Sequence, residues 1–459
     1  MHEQDIQTQE GLPPPDLDNI VSAKLKQSIV DDLSSLRLHT PSMPLIHRVP
    51  RELREGNDSH FTPTAVSIGP LHAGNEKLKD GEELKKWFLS SFLSRFPDES
   101  ILPHLICLLM SLETEARLSY AENFENLGTE EFVKMMLLDG CFIIEFILWF
   151  RCLDTAASPI PVGRAKWPLH YIIGYDLLLL ENQLPFFILQ SLYNVVQHQC
   201  NGLDGILLRG ITLVQLAGMF FSSSVLPVYV NPSLYGRDAV NCPSHLLELM
   251  LFILFPNAIG HPTKEATPDH IRCYKNTASE QVLHGIKFEG KSYMQSMEDV
   301  KFNDGVLKLP YFEARETTAS LFKNLVALEQ CFCEKYSAYF TSFLFLMDIL
   351  IDTERDVNIL VEARVLKPRF DDKVGLRSLF KNDITLRVIY DPRKFHYAYV
   401  LNAMAKYRGN RIPRLRAFFK TYYFATRWEW NIFNGVLLFF FTVTQTLFAV
   451  LSYHPRSQR

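Results

Sequence analysis

Glu130-Glu-Phe-Val-Lys-Met-Met-Leu-Leu-Asp139-Gly-Cys-Phe-Ile-Ile-Glu145-Phe-Ile-Leu-Trp-Phe-Arg151 is the stretch on which the fold turns. From Phe132 onward apolar side chains fall on nearly every face of a 3.6-residue helix. A helix that is apolar nearly all round belongs inside a core. It is a poor membrane span, because an acid at a helix centre costs about 2.5–3.5 kcal/mol on insertion scales. The stretch therefore predicts a long helix at the centre of a folded domain. Tyr171–Val196 has the same character, with Asp176-Leu-Leu-Leu-Leu-Glu181 inside it, but Pro185 should kink or break it.

Working outward, the remaining periodicity is also helical. In Glu82–Phe96, Leu84, Trp87, Phe88, Phe92 and Phe96 lie near one face. Leu105–Tyr120 does the same with Leu105, Leu108, Leu109, Leu112 and Ala116. Glu113 there precedes Arg117 by four, the favourable order for a helical ion pair. Thr318–Tyr339 carries a stripe of Leu321, Leu325, Leu328 and Phe332. Strand character appears around Asn303-Asp304-Gly305, where Val300–Phe302 and Val306–Leu309 read as a hairpin, with Gly285–Phe288 as a third strand. The expected fold class is mainly α (α+β): a large helical domain with a small antiparallel sheet and one C-terminal transmembrane helix.

The transmembrane expectation rests on Ile432–Leu451, twenty residues without a formal charge. As a helix it would span about 30 Å, the thickness of a bilayer's hydrocarbon core. The segment before it holds Arg408, Arg411, Arg414, Arg416, Lys420 and Arg427 among aromatic residues. Basic and aromatic residues favour the interface, so Arg427, Trp428 and Trp430 are the membrane-interface candidates. The organisation that follows is a mobile polar extension over 1–43, one helical domain over 44–407, a basic-aromatic segment over 408–431, the span over 432–451 and a tail over 452–459. The placement that follows is a single-pass plasma-membrane protein, its bulk cytosolic, with membrane lipid as one partner. The polar N-terminus shows no secretory signal.

Composition narrows the function. The 459 residues are 47% hydrophobic with a formal net charge of −4, which argues against a nucleic-acid partner. Eight scattered cysteines form no C-x-x-C pair, which disfavours a zinc ribbon and reads as reduced core thiols. Gly69-Pro-Leu-His-Ala-Gly74 has phosphate-loop glycine spacing but lacks the Lys and Ser/Thr that would hold phosphate and magnesium, and Pro70 removes a donor. It reads as a turn. Neither a G-x-S-x-G nor an H-E-x-x-H motif occurs. No cofactor and no catalytic or metal-binding set is expected. Asp139, Glu145, Asp176 and Glu181 in apolar runs need partners, or they neutralise. They are either acid–base candidates or structural acids.

The ordered pieces resemble the plant domain-of-unknown-function 247 family over about 44–453. They are Ile46-His-Arg48-Val-Pro50-Arg-Glu-Leu-Arg54, Phe61-Thr-Pro63-Thr-Ala-Val-Ser-Ile-Gly69-Pro70-Leu-His72-Ala-Gly74, Phe132–Glu145 with Asp139-Gly140, Asp176–Phe187 with Glu181-Asn182-Gln183-Leu-Pro185, Val300–Leu307, and Asn324–Gln330 with Glu329-Gln330. The resemblance implies a membrane-associated plant protein of unknown biochemistry, with these motif residues structural; some grass members of the family are linked to self-incompatibility as recognition determinants. The expected function is non-enzymatic recognition or signalling through protein partners. The alternatives are a hydrolase-like enzyme using the buried carboxylates and a homo-oligomerising membrane scaffold.

Overall fold

The computed structural model describes residues 24–30, 46–96, 100–151, 169–199, 210–227, 243–258, 276–291, 296–315, 317–368, 373–381, 395–409 and 427–453. Two compact units are present, Met1–Pro44 and Leu45–Arg459. In the first, 24–30 is an exposed helix. The second runs α1 (Arg51–Arg54), α2 (Lys79–Leu93), α3 (Ile101–Leu118), α4 (Thr129–Arg151), α5 (Leu169–Asp176), α6 (Phe186–Gln199), α7 (Leu213–Ser224), α8 (Leu246–Leu254), α9 (Ala278–Leu283), β1 (Lys287–Lys291), β2 (Lys301–Asn303), β3 (Val306–Pro310), β4 (Phe312–Glu313), α10 (Thr318–Cys331), α11 (Tyr339–Leu350), α12 (Glu354–Glu362), β5 (Leu366–Lys367), α13 (Lys373–Lys381), α14 (Ala398–Gly409) and α15 (Arg427–Tyr453).

The central stretch is indeed α4. It is buried continuously from Asp139 to Trp149, and α2, α3, α6 and α7 pack around it. Phe88 meets Phe142, Phe146 and Trp149 edge-on, a favourable aromatic geometry. Gly140 faces the Leu192 side chain of α6, and a Cβ there would lie 2.4 Å from Leu192 Cδ1, so a larger residue would have to displace that side chain. Pro185 stands one residue before α6, and α5 already ends at Asp176. The stretch is thus broken near Pro185 as expected, into two helices joined by a buried turn over 177–185. The Thr318–Tyr339 stretch likewise divides into α10 and α11.

The hairpin forms as β2–β3, with Asp304 and Gly305 both at positive φ, as a two-residue turn of the hairpin type requires. The sheet is not the purely antiparallel one expected. Its order is β1-β3-β2, and β1 runs parallel to β3 with Lys287 opposite Val306; β4 and β5 also pair in parallel. The reason is that β1 adds to the free edge of β3 rather than to β2.

The transmembrane helix and the single-pass plasma-membrane placement are corrected. Among the described residues, no helix is long and apolar enough to cross a membrane. The run does form a helix, α15, whose apolar stretch is interrupted by polar side chains. Asn434, Gly435 and Gln445, with three threonines, dilute it further. The hydroxyls of Thr442 and Thr446 bond back to Leu438 O and Thr442 O. Arg427, Trp428 and Trp430 lie in α15 with their side chains outside the described residues, as is the flank 410–426. Two stretches punctuated by Pro and Gly, 222–244 and 256–278, read as loops from the sequence; 222–224 are instead the end of α7, and most of each stretch falls outside the described residues. The core-thiol expectation holds only in part: Cys141 is buried, whereas Cys107 and Cys333 are exposed.

Candidate functional site

Two neighbouring segments, 46–54 and 61–72, meet a turn far along the chain, 176–185, beside the N-terminal half of α4. The buried side chains of the turn hold the other two in place.

Asp176, at the end of α5, accepts hydrogen bonds from the Thr64, Ala65 and Val66 amides at 3.0, 2.6 and 3.0 Å. These donors follow Pro63 in an irregular segment with no strand or helix to satisfy them, so the carboxylate takes the role of a ladder partner. Burial lifts the Asp176 carboxyl above its usual value, and the amides offset only part of that. Asn182 continues the register. Its Oδ1 accepts from the Ile68 amide at 2.6 Å, and its Nδ2 donates to Val66 O and Asp176 O. Gln183 Nε2 donates inward to Leu177 O and Leu179 O, closing the turn on itself. Asn324 of α10 accepts from the Leu180 amide at 2.8 Å and donates to His60 O.

Asp139 of α4 accepts from the Gly69 amide at 2.8 Å and lies 2.6 Å from Lys85 Nζ of α2. Both side chains of that pair are almost fully buried. Asp139 and Glu82 hold the Lys85 ammonium above its usual value although burial opposes them. Gly69 itself has φ +70°, and a Cβ there would lie 2.7 Å from Gln183 O and 2.9 Å from the Tyr120 hydroxyl. The glycine is required both by the backbone and by the space. Pro70 opens a short 3-10 turn ending at His72.

Glu181 is the most connected acid. Its side chain is fully buried, yet it meets the Val49 amide at 2.7 Å, the Arg54 guanidinium, Arg48 Nη1 at 3.7 Å and His72 Nε2 at 3.3 Å. Burial alone would push its carboxyl up. The bonds from His72, Arg54 and Val49 outweigh that and hold it below the usual glutamate range. Arg48 reaches outward to Glu122 at 2.7 Å and donates to Leu71 O. Pro50 caps α1, which carries Arg54. Away from this cluster, Glu145 forms a two-pronged pair with Arg95 and accepts from Ser91. Glu329 accepts from the first amides of α11, and Gln330 beside it is half-buried.

The motif residues therefore converge, but as a staple. Each of the four acids considered for acid–base chemistry is at most 3% exposed, and each faces cations or backbone amides. A general acid or base must reach a substrate proton. These carboxylates instead reach their own chain. Among the described residues, no cluster of three or more His, Cys, Asp or Glu could hold a metal ion.

Lys85 and Arg95 are the partners that sequence reading missed. A signal was present: Gly81, Lys85, Phe88 and Phe92 share the buried face of α2, so the helical period places Lys85 inside. Arg95 follows Phe92 by three. The partners of Glu181 left no such signal, because they stand about 130 residues away.

This architecture is that of a plant protein family without an assigned activity. Residues 46–441 match the family DUF247, described as plant protein of unknown function, and the chain belongs to it. It is 27% identical to the UPF0481 protein At3g47200 of Arabidopsis thaliana over 431 residues, 89% of this chain and 86% of the relative. A second Arabidopsis thaliana relative, the UPF0481 protein At3g02645, is 28% identical over 170 residues, 36% of this chain and 30% of the relative. No solved structure matches.

Proposed function

We propose that this chain is a non-enzymatic recognition or signalling protein that acts through protein partners. The observation that carries the reading is the use of Asp139, Glu145, Asp176 and Glu181 as buried structural acids, each bound to cations or amides of its own chain. With those groups engaged, the hydrolase-like alternative loses the residues it relied on. A rigid scaffold held by long-range polar bonds suits the display of connecting segments, which is where recognition residues concentrate. The segments 222–244 and 256–278, rich in Pro and Gly, are the candidates for partner contact.

Proximity labelling with the full chain in plant tissue tests this. The expected result is a reproducible set of labelled proteins that is lost when 228–242 or 259–275, which leave α7 and the buried residues untouched, is replaced by a Gly/Ser stretch of equal length. A labelled set matching that of the free labelling enzyme, together with turnover of an ester or phosphoester substrate by the purified chain, would overturn it.

A further inference from the structure

The three-stranded sheet carries its cations on one face. Side chains alternate across a strand. The pleat that buries Phe288 and Leu307, and sets the Phe302 ring against Tyr407, therefore turns Lys287, Glu289 and Lys291 of β1, Lys301 of β2 and Lys308 of β3 the other way. The register sets them in a row: Glu289 stands opposite Lys308, and Lys308 opposite Lys301. Lys308 Nζ lies 3.9 Å from Glu289, and Lys301 Nζ lies 3.1 Å from Asp299, just ahead of β2. Among the described residues, Lys287 and Lys291 pair with no acid. Lys287 is exposed and Lys291 half-buried. The other acids of this region lie off the strands: Glu298 accepts from Asn257, and Asp304 occupies the hairpin turn.

Two observations set this face apart from an ordinary solvated surface. Lys301 and Lys308 are like charges directly opposite each other on adjacent strands, an arrangement that destabilises a sheet. A local rule broken in this way is a mark of a functional surface, and an anion lying over the pair removes the repulsion. The chain as a whole has a net charge of −4, yet this face sets four ammonium groups against the carboxylates of Glu289 and Asp299 alone.

We propose that this face docks an acidic segment of a partner protein, held extended over β1 and β3. The spacing sets what fits. Lys287 and Lys291 are four residues apart on one strand, about 13 Å, and neighbouring strands lie about 4.8 Å apart. An extended segment with acids four residues apart repeats the first distance. Glu289 stands between those two lysines, so acids separated by neutral residues fit better than an unbroken acidic run. Lysine suits the task, because its ammonium is a point charge on a flexible stem and needs no fixed fork geometry. The surface takes the class of its partner from the reading of this chain as a recognition protein, but it uses residues outside 222–244 and 256–278.

Fluorescence anisotropy of the full chain with a labelled Ser peptide bearing Asp at every fourth position tests this. The peptide should bind at about 20 mM salt and weaken as salt rises to about 200 mM, because screening shortens the reach of exposed charges. Lys287→Gln with Lys291→Gln should weaken binding about tenfold, each exposed pair being worth about threefold. Lys77→Gln with Lys79→Gln removes the same charge from exposed positions at the start of α2 and should leave binding unchanged. No saturable binding at low salt, or an equal loss in both variants, overturns the surface. So does a preference for phosphatidylserine vesicles or for an oligodeoxythymidine of the same charge. Carbodiimide coupling of the peptide to the unaltered chain gives a second reading that needs no variant: coupling at Lys287 and Lys291 supports the surface, and coupling confined to other lysines overturns it. A proximity-labelled set that persists while these tests fail overturns this surface alone and leaves the protein-partner reading standing.

Discussion

Lys85 shows how much one residue carries in this fold. Its ammonium is buried at 2.6 Å from Asp139, which in turn holds the Gly69 amide. Lys85→Met would leave that carboxylate inside the core without its cation. Breaking a buried pair from one side typically costs about 3–5 kcal/mol, more than the net value of the pair itself. Urea unfolding should show a loss of that size. Adding Asp139→Asn in the same background should recover part of it, because an amide oxygen still accepts from Gly69 and no buried charge remains. No recovery would mean that Lys85 acts through its packing along α2 instead. Gly69 belongs to the same scale: its φ of +70° and its closeness to Gln183 O exclude any side chain there.

Among the elements, the turn 176–185 organises its surroundings. It is irregular, yet it is buried because its polar groups are satisfied by side chains from itself and by Asn324. Asp176 extends this to the neighbouring segment by accepting three successive amides. Asp176→Asn replaces one acceptor oxygen by a donor that faces amide N–H groups. The amides of 64–66 should then exchange faster with solvent, and stability should fall by about 1–3 kcal/mol, the cost of leaving buried donors unmet. Unchanged exchange at 64–66 would show that another acceptor holds that segment. The helical periods, the Asp304-Gly305 turn and the break near Pro185 were all legible along the chain, because each depends on neighbours within a few residues. The parallel placement of β1 was not, because a strand's period is the same whichever edge it joins.

For the whole molecule, the acids divide by the sign of their pH dependence. Glu181 and Glu248 lie below the usual carboxylate range in the folded chain, because His72, Arg54 and the Val49 amide for one, and His245, Lys335 and Tyr336 for the other, outweigh burial. Their stabilisation is fully present above the unfolded glutamate value and is lost as pH falls through the folded one. Glu329 has the opposite sign. Its raised value leaves its destabilising effect absent below the unfolded glutamate value and complete only above about pH 7. Arg54→Met should therefore lower the urea midpoint clearly at about pH 6. The gap from the unaltered chain should narrow in acid, as pH falls below the unfolded glutamate value and Glu181 takes up its proton. A gap of equal size in both conditions would assign the effect of Arg54 to its contact with the Phe61 ring rather than to Glu181.

The sequence by itself determined that this chain builds a helical core around Glu130–Arg151, that a hairpin interrupts it near 304, and that it belongs with a plant family defined by ordered motifs. Those features follow from the period of apolar side chains and from local turn chemistry. The tertiary structure alone decided what the motif acids do. Asp139 finds Lys85 on another helix, and Glu181 finds Val49 and Arg54 about 130 positions earlier. The reason is physical: a carboxylate in a core must be met by whatever donors the packing brings to it, and the linear order of residues does not encode that distance.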